Sequence, residues 1–296
     1  MAKVLSKPKR IAVLADIHSN HIALRACIQA ALKKGADTFF FLGDYLGDLA
    51  YPQKTLQVLY ELQAHYPCCF VRGNKEEYWL SRRGGHSGDA PVWREGSSTT
   101  GMLAYNFARL EERDLAFMAD MPVMRRVRLD GCPELLLCHG SPFRVDQSMR
   151  PDGPHIDELT AKIDAPLVLC GHFHIQTSDE RNGVRVINPG AVGVPLHSRG
   201  QTQFLLLHGA ADAWETEFMT LPYDVQAALA EMEAEELFRR APYWARVTRH
   251  LLLTGEVPHP QALTRVMAIC RRQGLPNVWP ELPETAWKQA VEELGL

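Results

Sequence analysis

A layered α/β fold, with a second sheet facing the first and a helical appendage at the C-terminus, is the architecture this sequence predicts. Three observations carry that expectation. Residues 10–73 alternate short apolar runs with stretches of helical periodicity. Residues 125–221 hold many strand-like runs and few helical ones, and from residue 223 onward only amphipathic helical stretches remain. Buried strands read as continuous apolar runs and helices as 3.6-residue periods, so the order of the two signals is the order of the layers.

The first half begins with "RIAVLA" (10–15), an apolar strand, then "HIALRACIQAALKKG" (21–35), a helix with a glycine stop. "TFFFLG" (38–43), "QKTLQVLYELQAHY" (53–66) and "CCFVRG" (68–73) continue the strand–helix–strand alternation. Right-handed crossovers bring the carboxyl ends of such strands to one edge. "VRGNKEE" (71–77) reads as a tight turn at Gly73-Asn74 leading into a polar loop. Residues 81–105, rich in Gly, Ser and Arg, read as a long loop or small excursion, and long loops in compact domains are often functional.

"ERDLAFMADMP" (112–122) reads as a short helix. The second strand series is "RRVRL" (125–129), "ELLLCHG" (134–140), "PLVLCGHFH" (166–174), "GVRVINPG" (183–190), "TQFLLLHG" (202–209) and "WETEFMTL" (214–221). Beyond it, four stretches beginning at "VQAALAEMEAEELFRR" and ending at "PETAWKQAVEELGL" predict an appendage over 223–296, packed on a domain of residues 1–222.

Composition narrows the class. A formal charge of -3 argues against an extended nucleic-acid surface, and no run approaches membrane-spanning length. "MAKVLSKPKR" is basic, but the short apolar run after it ends in charge, so it reads as the approach to a first strand rather than a signal peptide. Seven cysteines, including the pair Cys68-Cys69, show no metal or disulfide spacing, which suits a reducing cytoplasm. Cys138 and Cys170, at the ends of apolar runs, are expected as small buried thiols.

The chemistry lies at the strand ends. Asp16 and His18 follow the first strand, Asp44 the second and Asn74 the third; His139 ends "LLLCHG", and His172 and His174 end "LVLCGHFH". Singly, each is a turn, cap or hydrogen-bonded residue. Together, five strands deliver two carboxylates, four imidazoles and an amide at the same relative position. Such a cluster is too costly to be unpaired polar burial, and cations make physical sense of it. Mixed N/O ligands favour first-row divalent ions over a hard oxygen cage, and no cysteine takes a ligand slot.

"DIH" (16–18), "GDYLGD" (43–48), "GNKE" (73–76), "CHGSP" (138–142), "GHFH" (171–174) and "NPGAVG" (188–193) resemble the calcineurin-like metallophosphoesterase superfamily, most of all its compact bacterial phosphoesterase branch. The resemblance covers residues 10–221 and implies a four-layer α/β/β/α sandwich, to which the helical appendage is added. It implies two divalent metal ions, with manganese first and iron, zinc, nickel or magnesium as alternatives. Asp16, His18 and His174 fall to one ion and Asn74, His139 and His172 to the other, with Asp44 bridging. A shared carboxylate offsets the repulsion of two cations about 3.5–4 Å apart. "NPGAVG" shapes the site floor.

The expected reaction is direct hydrolysis of a phosphate ester by a metal-bridging hydroxide, with Asp44, Asn74 and His139 at the centre of catalysis. Lys75 stands where many family members have a histidine near the leaving group. It is either a clamp on a phosphate oxygen or an ion-pair partner of Glu76 or Glu77. Arg144 is a further candidate, and Arg82, Arg83, His86, His197 and Arg199 are candidate substrate contacts. Asp48 reads as a loop carboxylate or one behind the ligands, and Ser141 as a turn residue.

The expected substrate is a small phosphorylated molecule or nucleotide, handled in the cytoplasm, with a homo-oligomer possible through the appendage. Dinucleoside polyphosphate hydrolysis, for which Tyr78, Trp79 and Trp93 would offer stacking surfaces, and protein dephosphorylation are competing readings. The protein-phosphatase pattern GDxxDRG is absent, since the chain reads "GDYLGDLA" there. A metal-stabilised scaffold that recruits a partner through its helical tail is the reading from another class.

Overall fold

The computed structural model describes residues 10–83, 92–129, 131–210 and 213–296. Two five-stranded sheets form the middle of the molecule. The first has strand order β10-β9-β1-β2-β3: β1 is Ile11–Leu14, β2 Thr38–Phe41, β3 Cys68–Phe70, β9 Thr202–Ala210 and β10 Ala213–Leu221. β1, β2 and β3 are parallel, joined through α1 (His21–Lys33) and α2 (Pro52–His65). The second sheet has order β4-β5-β6-β8-β7, with β4 Met124–Val127, β5 Leu135–Cys138, β6 Leu167–Leu169, β7 Gln176–Arg181 and β8 Val184–Pro189.

The period of two along β1 explains the layering. Ala12 and Leu14 face outward onto α1 and α2 with Phe39 and Phe41, while Ile11 and Val13 face inward with Phe40 and Leu42. That inward face meets Leu135, Leu137, Leu167, Leu169 and Ile187 of the second sheet. The second sheet's outer face, Leu136, Val168, Val184 and Val186, is covered by α6 (Ile156–Thr160) and the Met149 segment. These are the four expected layers, helix, sheet, sheet and helix. Cys138 and Cys170 are buried in the last interface, and no disulfide forms among the described residues.

Two loops of the sequence reading contain helices. "GNKEE" opens α3 (Asn74–Arg83), and the end of the excursion forms α4 (Gly101–Phe107), ahead of α5 (Glu112–Ala119). Residues 84–91, with His86, lie outside the described residues. α3 starts where it does because Glu76, three residues after Gly73, turns back to accept the Gly73 N–H at 2.8 Å, as a capping-box glutamate does. β7 is a polar edge strand with no apolar run, tied to β8 by a turn at Asn182-Gly183 where both residues have positive φ.

The C-terminal extension comprises α7 (Val225–Ala234), α8 (Leu237–Arg240), α9 (Pro242–Thr254), α10 (His259–Gln273) and α11 (Glu284–Glu293). The first long amphipathic stretch breaks in two at Glu236, whose φ is 55°. α7, α8 and α9 pack on Leu49, Met102, Tyr105 and Val194 of the core, and α9, α10 and α11 share a cluster around Trp287. Polar contacts pin the extension down: Glu231 to His21 and Lys54, and Glu284 to the Ser98 N–H and hydroxyl. Among the described residues, no helix is long and apolar enough to cross a membrane.

Candidate metal centre

The seven strand-end residues converge. Asp16, His18 and Asp44 follow β1 and β2, Asn74 follows β3, His139 follows β5, and His172 and His174 follow β6. Asp16, His18, Asp44, His172 and His174 all take positive φ, a conformation most side chains avoid, held by packing around the site. Glycines make the approach possible. A Cβ on Gly73 would lie 2.3 Å from Asp44 Oδ1, and one on Gly171 2.8 Å from Asp16 Oδ2. The floor is the "NPGAVG" turn: Gly193 N–H donates to the Asp16 carbonyl at 2.9 Å, and Asn188 reaches the Gly171 carbonyl.

Among the described residues two groups of side chains, sharing Asp16, bring ligand atoms close enough to hold an ion: Asp16, His18 and His174, and Asp16, Asp44 and His139. Asn74 Oδ1 adds to the second, 3.0 Å from both His139 Nε2 and His172 Nδ1, which lie 3.2 Å apart. For bonds of about 2.1 Å meeting near right angles, ligand atoms sit about 3 Å apart, so this spacing fits a divalent cation. The Asp44 carboxylate faces both groups, with Oδ1 3.5 Å from His139 Nε2 and Oδ2 3.6 Å from His18 Nε2. His18 Nε2 is buried without a hydrogen-bond partner, the state of a nitrogen whose partner is an ion.

Hydrogen bonds behind the cluster fix which ring atoms face in. His139 Nδ1 donates to the Leu42 carbonyl at 2.8 Å and His174 Nδ1 to that of Val194 at 3.2 Å, so in each ring Nε2 is the nitrogen turned toward the cluster. Burial pushes His172 down to about 4, with His139 beside it, so its imidazole is neutral. Burial opposes ionisation of Asp16, but His174, His139 and His18 outweigh it and hold the carboxyl below its usual range. Glu76, fully buried, accepts from the Gly73, Asp44 and Tyr45 N–H groups and so locks the Asp44 loop. Lys75 N–H then donates to Asp44 Oδ1 at 2.8 Å.

Asp48 is the residue behind His18. Its Oδ2 lies 2.9 Å from His18 Nδ1, its Oδ1 accepts from Trp244 Nε1 at 2.9 Å, and Lys75 Nζ and His259 Nδ1 are each 3.8 Å away. Burial disfavours its charge, yet Lys75, His259 and His18 keep it ionised well below the ordinary range. Lys75 therefore faces Asp48 rather than Glu76, which binds backbone, or Glu77, which pairs with Arg72. Burial disfavours the Lys75 charge too, but Asp48 and Asp44 raise its pKa and keep it cationic.

A cleft of about 230 Å³ opens over the cluster, lined by His18, Asp44, Asn74, Lys75, His172 and His174 on one side and Trp244, Leu251, His259 and Leu263 of the extension on the other. Among the described residues, the other basic residues named from the sequence lie outside that lining. Arg144 is exposed and paired with Asp146, and Arg83 pairs with Glu112. Arg82 is buried with its guanidinium 4.2 Å from the Trp93 ring. His197 and Arg199 are exposed, the former with its N–H on the Gly255 carbonyl. Trp79 is fully buried against Trp93, while Tyr78 reaches the cleft. Ser141 Oγ accepts from the Phe143 and Arg144 N–H groups, a turn contact. Trp244 and His259 had no sequence signal, because their helices show only amphipathicity.

Fold and ligand set together define a metal-dependent hydrolase with a binuclear centre. The family model of the Calcineurin-like phosphoesterase superfamily domain matches residues 10–212. The chain belongs to that superfamily. A curated relative, an uncharacterized protein of Methanocaldococcus jannaschii, is 23% identical over 253 residues, 79% of this chain and 94% of its own. A hypothetical protein of Pyrococcus horikoshii superposes with a TM-score of 0.70 at 20% identity, covering 84% of this chain and 99% of its own. A metallophosphoesterase of Sphaerobacter thermophilus gives 0.66 at 20% identity, over 85% and 100%. These shares exceed the stretch matched by the family model, so the likeness in fold reaches into the helical extension.

Proposed function

We propose that the chain hydrolyses the phosphate ester of a small phosphorylated molecule, with Asp16, His18, His174 and Asp44 around one divalent cation and Asp44, Asn74, His139 and His172 around the other. The observation that carries this is the Asp44 carboxylate, one oxygen toward each group. When bound, the cations supply Lewis-acid activation of water and of the phosphoryl oxygens. The chain's own residues do the rest. Glu76 and the Lys75 N–H hold Asp44 in place, the His139 and His174 hydrogen bonds aim their rings, and the cationic Lys75 offers a fixed positive charge to a phosphate oxygen.

Manganese suits the mixed nitrogen and oxygen ligands, with iron, zinc, nickel and magnesium as alternatives. The extension narrows the cleft, which favours small esters over polymers or folded phosphoproteins and fits a monomeric or oligomeric enzyme of the cytoplasm. In this reading residues 1–222 form the catalytic domain and 223–296 its cover.

Manganese-loaded protein is expected to hydrolyse p-nitrophenyl phosphate or its bis ester, and Asp44→Asn to abolish this. Full turnover by Asp44→Asn at saturating metal would sink the assignment.

A further inference from the structure

Beside the metal cleft lies a second cavity, of about 190 Å³, walled by Gly47, Tyr78, Met102, Leu103, Trp244 and Trp279. Asp48, Lys75, Tyr78, Trp244 and Leu263 line both spaces, so the two adjoin along a shared wall. The imidazoles and the Asp44 carboxylate belong to the cleft alone; the second cavity, apart from Asp48, Lys75 and Thr99, is lined by rings, aliphatic chains and Gly47.

The rings are held. Tyr78 stacks on Trp279 with centroids 5.7 Å apart and planes 24° apart. Trp244 is fixed by its hydrogen bond to Asp48 and by stacking on His259 at 4.3 Å. The Lys75 ammonium lies on the shared wall, 5.7 Å from the Trp244 ring centroid.

We propose that this pocket receives the organic half of the substrate, and that this half is a planar aromatic ring. The proposal rests on reading the cleft as a phosphoester-hydrolysing centre. A phosphate seated over the ligands has Lys75 at its flank, and the ester oxygen then leads across the shared wall into the ring-lined space. An apolar cavity of about 150 Å³ is enough to take a benzene ring, so the volume suits one ring system rather than a chain or polymer. Rigid aromatic walls favour flat π-surfaces over flexible aliphatic groups. Two of the three rings, Trp244 and Trp279, belong to the extension, which gives that segment a role in choosing the substrate.

The test is a set of kcat/KM values for the full chain loaded with manganese. Benzyl, cyclohexylmethyl and ethyl phosphate are primary alkyl esters with leaving alcohols of similar acidity, so differences report the pocket. Benzyl phosphate is expected to exceed ethyl phosphate by roughly tenfold or more, the scale of one ring-stacking contact, and to exceed the cyclohexylmethyl ester as well. Thymidine 5′-phosphate against ribose 5-phosphate distinguishes a nucleobase from a simple aryl group as the natural occupant.

In Trp244→Leu and in Tyr78→Leu the benzyl-to-ethyl ratio is expected to fall to about twofold or less. Trp279→Leu, and competitive inhibition of the wild type by benzyl alcohol but not ethanol, give the same answer should those variants fail to fold. Equal kcat/KM for the three esters, or a ratio unchanged in the variants, overturns the proposal alone. Absence of turnover on every ester, with two cations bound, removes the phosphoesterase reading and this proposal with it.

Discussion

Trp244, on the helical extension, donates its indole N–H to Asp48 Oδ1 at 2.9 Å, and the other oxygen of that carboxylate lies 2.9 Å from His18. One buried side chain thus joins the cover to a residue of the metal centre across nearly two hundred positions of sequence. Lys75 and His259 complete its surroundings.

Asp48→Asn keeps the shape of that junction and its acceptor for Trp244 but removes the charge behind His18. Carboxylates behind ligating histidines fix ring orientation, and their loss typically costs about 10–100-fold in metal affinity. Chelator competition on the variant is expected to show a loss of that size. Affinity equal to wild type would mean that Asp48 serves packing alone.

Lys75→Met tests the fixed charge. Turnover per bound metal is expected to fall about tenfold or more, with metal content preserved, because the ammonium faces the cleft and is held cationic by Asp48 and Asp44. Unchanged turnover and an unchanged pH–rate profile would leave Lys75 only as the ion-pair partner of Asp48.

Glu76→Gln isolates the buckle under Asp44. The carboxylate accepts three backbone N–H groups, two at Oε2 and one at Oε1. An amide must turn its NH₂ toward at least one of them, leaving buried donors face to face. Urea denaturation is expected to show a loss of about 1–3 kcal/mol. A neutral substitution would mean that the loop is held by other contacts.

His259 gives the extension a pH dependence. Burial pushes it down to about 4, despite Asp48; Lys75, His18 and His174 add to the depression. Its Nε2 lies 2.9 Å from Thr248 Oγ1, whose own hydrogen goes to the Trp244 carbonyl, and the lowered pKa keeps the folded ring neutral above about 4. The unfolded chain, with an ordinary value near 6.5, binds the proton first as pH falls. The stability it contributes is therefore complete above that value and lost progressively toward about 4. Between pH 7.5 and 5.0 the wild type is expected to lose about 2 kcal/mol more than His259→Gln in urea titrations. Parallel losses would contradict the assignment.

Most of the fold was legible because its central strands are apolar throughout. β1, β2, β5 and β6 could be read from their runs, and the seven converging residues from their positions just beyond those runs. β7 was missed because an exposed edge strand of sequence QTSDER carries no apolar signal, although its Asn182-Gly183 turn is a hairpin mark. α3 was missed because its apolar residues are few; the signal available was the glutamate three residues after Gly73. For Asp48 the sequence points only to a loop or to a place behind the ligands. Its role depends on Trp244 and His259, whose approach is set by tertiary packing that no local pattern encodes.

Crystals of the manganese-loaded protein, measured at the manganese absorption edge, test the central claim most directly. Two anomalous peaks per chain are expected, one among Asp16, His18, His174 and Asp44, the other among Asp44, Asn74, His139 and His172. A single peak, or two that do not share Asp44, would contradict it.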